Sequence, residues 1–125
     1  MQPRRGGQQI RIAATPDLVW AAITEEPGAW LGGTVELELR AGGRARFRLP
    51  GADIEPGVPG PDEHRLGEVA AVEPGHRLAW RWWNVGLPRS SATEVELVLV
   101  ADGDGTVVTA VESGPGPEPV LVAGA

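Results

Sequence analysis

Across residues 34–49 the apolar residues fall on alternate positions, a period that fits an extended strand and not a helix. Val35, Leu37 and Leu39 stand on one side; Glu36, Glu38 and Arg40 stand on the other. After Ala41, Gly42 and Gly43 the alternation resumes, with Ala45, Phe47 and Leu49 against Arg44, Arg46 and Arg48. A three-residue loop with glycine in the left-handed conformation joins such strands. Both apolar sets must face one side of the sheet, so paired residue numbers sum to an even number. This loop predicts Arg40 opposite Arg44, Glu38 opposite Arg46 and Glu36 opposite Arg48. The outer face then becomes a ladder of opposite charges, each pair contributing about 0.2–1 kcal/mol. The arginine run reads as a solvated strand face rather than a nucleic-acid patch.

The rest of the chain supplies the partners of this hairpin. Residues 1–9 are polar and glycine-rich and predict a loose arm. QIRIAAT is a short strand with Ile10 and Ile12 on one side. TPD opens a helix, with Thr15 as cap, Pro16 at the first helical position and Asp17 at the positive end. Val19, Trp20 and Ile23 form its apolar face, and Pro27 and Gly28 end it. AWLGG gives one further turn, closed by two glycines. Residues 50–64, PGADIEPGVPGPDEH, are dense in proline, glycine and acid and predict a long flexible loop. Two more hairpins follow, turning at residues 73–76 and 102–105. The expected fold class is α+β in a single domain, residues 1–125: a strand, two short helices, then six strands in three hairpins.

Composition removes several function classes. There is no cysteine among the 125 residues, so disulfides and thiolate chemistry are excluded. Lysine is absent, which excludes Schiff-base catalysis and a lysine-bearing phosphate loop. Tyrosine is absent too. The net charge of −6 argues against a nucleic-acid or anionic-membrane partner. No apolar run approaches the roughly 20 residues of a membrane span. The opening MQPRRGGQQ lacks the apolar region of a secretory signal, so the expected location is cytoplasmic. The Ala, Gly, Arg and Pro bias resembles GC-rich coding, in keeping with a bacterial source. His64 and His76 fall in a loop and a turn without metal-ligand spacing, and no serine lies in a nucleophile elbow. No catalytic, metal or cofactor residue stands out.

What remains is tryptophan. Residues 78–84 read LAWRWWN and hold three of the chain's five tryptophans. Trp80 and Trp82 share a face with Leu78, and Trp83 takes the other. A buried tryptophan removes about 150–250 Å² from water, a gross gain of about 4–6 kcal/mol. The segment suits a packed core or the wall of an apolar cavity with one polar anchor. An acidic surface disfavours base stacking. Of the polar residues near it, Arg81, Asn84 and Thr93 are candidates to reach such a cavity.

In order, ATPDLVWAAIT, WLGGTVELELRAGGRARFRL, GEVAAVEPGHRLAWRWW and DGDGTVVTAVESG resemble the START-like, Bet v 1-like (SRPBCC) superfamily. The resemblance is to its activator of Hsp90 ATPase homologue branch and spans residues 10–114. It implies a helix-grip fold: a curved antiparallel sheet, two short N-terminal helices plugging one end, and an apolar cavity under a long C-terminal helix. It implies a cavity lined by Trp20, Trp30, Leu37, Leu39, Phe47, Leu78, Trp80, Trp82 and Leu97. The sequence departs from the family after ESG, where PGPEPVLVAGA, with three prolines and two glycines, cannot form the long helix. The implied function is non-catalytic binding of a small hydrophobic molecule, or regulation by protein contact. A polyketide cyclase/aromatase-like enzyme and an Hsp90 co-chaperone-like module are the alternatives. A homodimer is expected, with the concave faces or the tails at residues 120–123 covering each other.

Overall fold

A computed structural model describes residues 6–114. Gly6–Ile12 (β1) leads into two helices, Pro16–Glu25 (α1) and Pro27–Leu31 (α2). Thr34–Leu37 (β2), Arg44–Leu49 (β3), Asp53–Glu55 (β4), Val58–Pro59 (β5), Glu63–Glu73 (β6), Arg77–Asn84 (β7), Thr93–Asp102 (β8) and Gly105–Ser113 (β9) follow. Seven strands form one curved antiparallel sheet in the order β1-β9-β8-β7-β6-β3-β2. The α+β class and the curved sheet of the helix-grip expectation hold. The tail beyond residue 114, and with it the expected lack of a long helix, lies outside the described residues.

The parity argument survives and its register does not. Val35 faces Phe47 and Leu37 faces Ala45, so both apolar sets share a side. Glu36, however, lies opposite Arg46, and Glu38 lies beyond the end of β2. The connection is residues 38–43, longer than the three residues expected, because it docks on β6. The Gly42 N–H donates to the Val69 carbonyl, and the Val69 N–H donates to that of Gly43, both at 2.8 Å. A Cβ on Gly43 would stand 2.1 Å from the Glu38 carbonyl oxygen, so this close fold needs glycine there. Glu38 turns back to its own loop, taking the Arg44 N–H at 3.0 Å and pairing with Arg40 at 3.3 Å. Arg48 sits opposite Thr34 and bonds Asp62 at 2.9 Å.

Three other expectations change. Gly6–Gln9 are not a loose arm: they belong to β1 and pair with β9, from Gly6 opposite Glu112 to Gln9 opposite Thr109. Backbone pairing on an open sheet edge needs no apolar side chain, which is why polarity misled there. Thr15 occupies the N-cap of α1, but its side chain makes no capping bond; its carbonyl receives the Val19 N–H at 3.0 Å. Residues 50–64 are more ordered in shape than a plain loop. β4 and β5 form a small hairpin around Gly57 (φ +82°), and Glu63 and His64 already belong to β6. Its side chains still face solvent, with Ile54 70% exposed. Proteinase K is expected to cut first between Ile54 and Val58 and to leave a folded remainder. First cuts elsewhere, with this hairpin intact, would mark it as a packed element.

The core lies on the concave side. Val19 and Ile23 of α1 pack with Phe47, Leu78, Trp80, Leu97, Leu99 and Val108. A bulge in β6 between Val69 and Ala71 shifts that strand by one residue, so Val69 and then Val72 both reach the core. Gly67 faces Trp82 across the β6–β7 ladder, and a Cβ there would meet Phe47 Cε1 at 3.0 Å and the Arg81 carbonyl at 2.6 Å. The missing side chain makes room for the aromatic layer above it. Thr106, fully buried, donates its hydroxyl to the Ala14 carbonyl at 2.7 Å and ties the β1–α1 corner to β9.

Candidate functional site

The alternation of β7 and β8 puts Trp80, Trp82, Val95 and Leu97 on the concave face, and α2 crosses above them. Between the two lies a hollow of about 400 Å³. Trp30 and Leu31 of α2 wall it on one side; Gly7 and Gln8 of β1 and Ala110, Val111 and Glu112 of β9 wall it on the other. A second hollow of about 380 Å³ adjoins it, also lined by Trp30 and Leu31, and runs over Ile10, Ile12 and Val108.

The indoles are held by one another. Trp80 and Trp82 meet edge to face at 5.7 Å, Trp30 meets Trp80 edge-on at 6.0 Å, and Phe47 meets Trp82 at 4.9 Å. Trp30 donates its N–H to the Ile23 carbonyl at 3.0 Å, which fixes α2 on α1. Trp82 donates to the Thr93 hydroxyl at 3.0 Å and to Glu112 Oε2 at 2.9 Å, and the Thr93 hydroxyl donates to the same Oε2 at 2.6 Å. The Arg65 guanidinium lies 4.3 Å over the Trp82 ring and bonds Glu63 at 2.9 Å. Among the described residues, the buried Trp80 N–H and Arg65 Nε have no partner.

Of the nine expected cavity residues, Trp30, Trp80, Trp82 and Leu97 line the hollow together. Phe47 and Leu78 are buried in the core behind it, at 1% and 0% exposure. Trp20 and Leu37 pack against the core without reaching the hollow. Leu39 is 42% exposed, because β2 ends at Leu37 and the β2–β3 loop, docked on β6, carries Leu39 off the inner face. Trp83 takes the convex side, under the Arg89 guanidinium at 4.8 Å. Arg81 does not reach the hollow: it pairs with Glu94 at 3.4 Å and Glu68 at 3.9 Å on the outside. Thr93 sits at the hollow's rim through Trp82, and Asn84 lines only a small recess of about 180 Å³ beside it.

Sequence reasoning missed Glu112 and Arg65. The signal was parity. Thr106, Val108, Ala110 and Glu112 share a face of β9, and Arg65, Gly67 and Val69 share one of β6. An inward apolar run that ends on a charge places that charge at the rim.

The convex side carries a larger groove of about 620 Å³, lined by Glu36, Arg46, Glu68, Trp83 and Arg89 among others. Glu68 there is shared by Arg89 at 3.2 Å and Arg81. Its surface is the mixed-charge outside of the sheet, while the concave hollow joins fixed aromatic walls to a carboxylate. The concave hollow is therefore the candidate site. Among the described residues, no helix is long and apolar enough to cross a membrane.

A family model described as activator of Hsp90 ATPase homolog 1-like protein matches residues 13–120. No curated protein sequence is significantly similar to the chain. Among solved structures, DynU16, a protein in the dynemicin biosynthetic locus, is 25% identical with a TM-score of 0.69; the match covers 93% of this chain and 39% of DynU16. The chain thus spans well under half of that protein. CalU16 from Micromonospora echinospora is 25% identical with a TM-score of 0.61, covering 94% of this chain and 74% of its own. PFC0360w, an HSP90 activator from Plasmodium falciparum, shares the fold at 14% identity and a TM-score of 0.66, covering 91% and 75%.

Proposed function

The chain belongs to the activator of Hsp90 ATPase homolog 1-like family, and we propose that it binds a small hydrophobic molecule, without transforming it, in the hollow between α2 and the concave face. The observation that carries this reading is the wall of three indoles, Trp30, Trp80 and Trp82, around an apolar space of about 400 Å³. A concave, mostly apolar space with few polar groups is the usual form of a small-molecule site. The origin of DynU16 in a biosynthetic locus supports a small molecule as the occupant.

The cyclase-like reading requires a group that moves a proton at the reacting centre. Glu112 is the ionisable side chain on the hollow, and it stands at the rim with one oxygen held by two donors. That arrangement suits an anchor better than an acid–base pair. A co-chaperone-like role would use a broad charged face, and on the convex side Glu68, Arg81, Arg89 and Glu94 are engaged with one another. A second copy is the other cover for the hollow, favoured by Ile10, 57% exposed, and Trp30, 38% exposed, at its edge.

Native mass spectrometry of freshly purified protein, with sedimentation at micromolar concentration, tests the reading. The expected result is a retained small molecule on a monomer, or a homodimer that releases one. A ligand-free monomer that binds no apolar dye would overturn it.

A further inference from the structure

Glu112 is the carboxylate that lines the hollow, and it combines a fixed position with an oxygen that is unengaged among the described residues. Oε2 takes both the Trp82 N–H and the Thr93 hydroxyl. Thr93 spends its own proton on that oxygen and its acceptor side on Trp82. Oε1 makes no hydrogen bond or ion pair among the described residues. A carboxylate held this way cannot rotate without breaking two bonds, and its second oxygen can only accept.

We propose that the occupant of the hollow carries a hydrogen-bond donor, a hydroxyl or a protonated amine, on a flat apolar body, and that Glu112 Oε1 receives it. The inference rests on the small-molecule reading of the same hollow. Three features favour a donor over an anionic group. Glu112 lines the hollow itself, whereas Arg65 borders only the recess beside it. The Arg65 guanidinium is already committed to the face of Trp82 and to Glu63. The net charge of −6 adds a field that repels anions. Gln8, the other polar side chain of the hollow, gives a neutral amide that suits a second polar atom of either kind. The apolar body would lie against Trp80 and Trp82, with its donor at the Glu112 end.

The test uses the full chain and four ligands with one ring system: naphthalene, 2-naphthol, 2-naphthylmethylamine and 2-naphthoate. Binding is read from titration calorimetry and from the indole N–H resonances of the ¹⁵N-labelled protein. The naphthol and the amine are expected to bind about ten- to a hundredfold more tightly than naphthalene, the range for a hydrogen bond to a charged group. They should shift the Trp82 indole N–H, since it shares the carboxylate they engage. In Glu112→Gln the advantage of the amine should fall to within about threefold of naphthalene. If all four bind alike, or the naphthoate binds best, the hollow remains a ligand site and the donor inference is wrong. If none binds, the small-molecule reading falls with it. The ligand series in the unaltered protein decides the matter even if the variant folds poorly.

Discussion

Trp80→Ala is expected to lower the unfolding free energy by about 3–5 kcal/mol, the range for removing a buried large aromatic side chain. Domains of this size are stable by only about 5–15 kcal/mol, so a fifth or more of the total is at stake. Trp80 is 1% exposed and touches each part of the aromatic layer: Phe47 at 6.1 Å, Trp30 at 6.0 Å and Trp82 at 5.7 Å. Its N–H has no partner among the described residues, so truncation orphans no polar group. The loss would be packing and cavity alone. Trp80→Phe should therefore be much milder, since it removes an unpaired donor along with part of the ring. Trp82→Ala is a different experiment, because it also strips Glu112 and Thr93 of a donor. Urea unfolding should show the Trp80→Ala midpoint falling with an unchanged slope. An undiminished midpoint would mean that α2 closes over the gap and that the layer is not the centre of the core.

The sequence disclosed what a period can disclose. Alternation placed Trp80 and Trp82 on the core side and Trp83 outside, and it put Val35 and Phe47 on one face. It could not separate registers two residues apart, because both keep the apolar sets together. The choice is made by Gly42 and Gly43 reaching Val69, contacts across 27 and 26 positions of chain that no local pattern records. Leu39 was lost from the site for the same reason. The β6 bulge was hidden too, since GEVAAVE reads smoothly through the shift between Val69 and Ala71. The hollow depends on how α2 lies over the sheet, so its aromatic wall was legible and its rim was not. Glu112 and Arg65 could have been found by carrying the parity of β9 and β6 to the strand ends, where a charge at an inward position marks a polar mouth.

Gly33→Ala is the substitution expected to couple the fold to the hollow most directly. A Cβ at Gly33 would sit 2.1 Å from the Arg48 carbonyl oxygen and 3.1 Å from Leu49 Cα. Both are backbone atoms of β3 and cannot rotate away, so the junction between α2 and β2 must move. Gly33 is also tied to α2, its N–H donating to the Gly28 carbonyl at 3.2 Å, so a shift at Gly33 pulls on that helix. Overpacking of this kind costs about 1–3 kcal/mol, and the backbone contacts argue for the upper end. The displaced element carries Trp30, whose N–H bond to Ile23 at 3.0 Å and edge contact with Trp80 form one wall of the hollow. Weaker binding of 2-naphthol should therefore accompany the lost stability. Gly114→Ala, where a Cβ meets nothing within 4 Å among the described residues, is the control and should change neither. A Gly33→Ala protein of normal stability whose 2-naphthol affinity is intact would show that α2 rides over β3 with room to spare. One that loses stability but binds normally would show that Trp30 keeps its place when the base of α2 shifts.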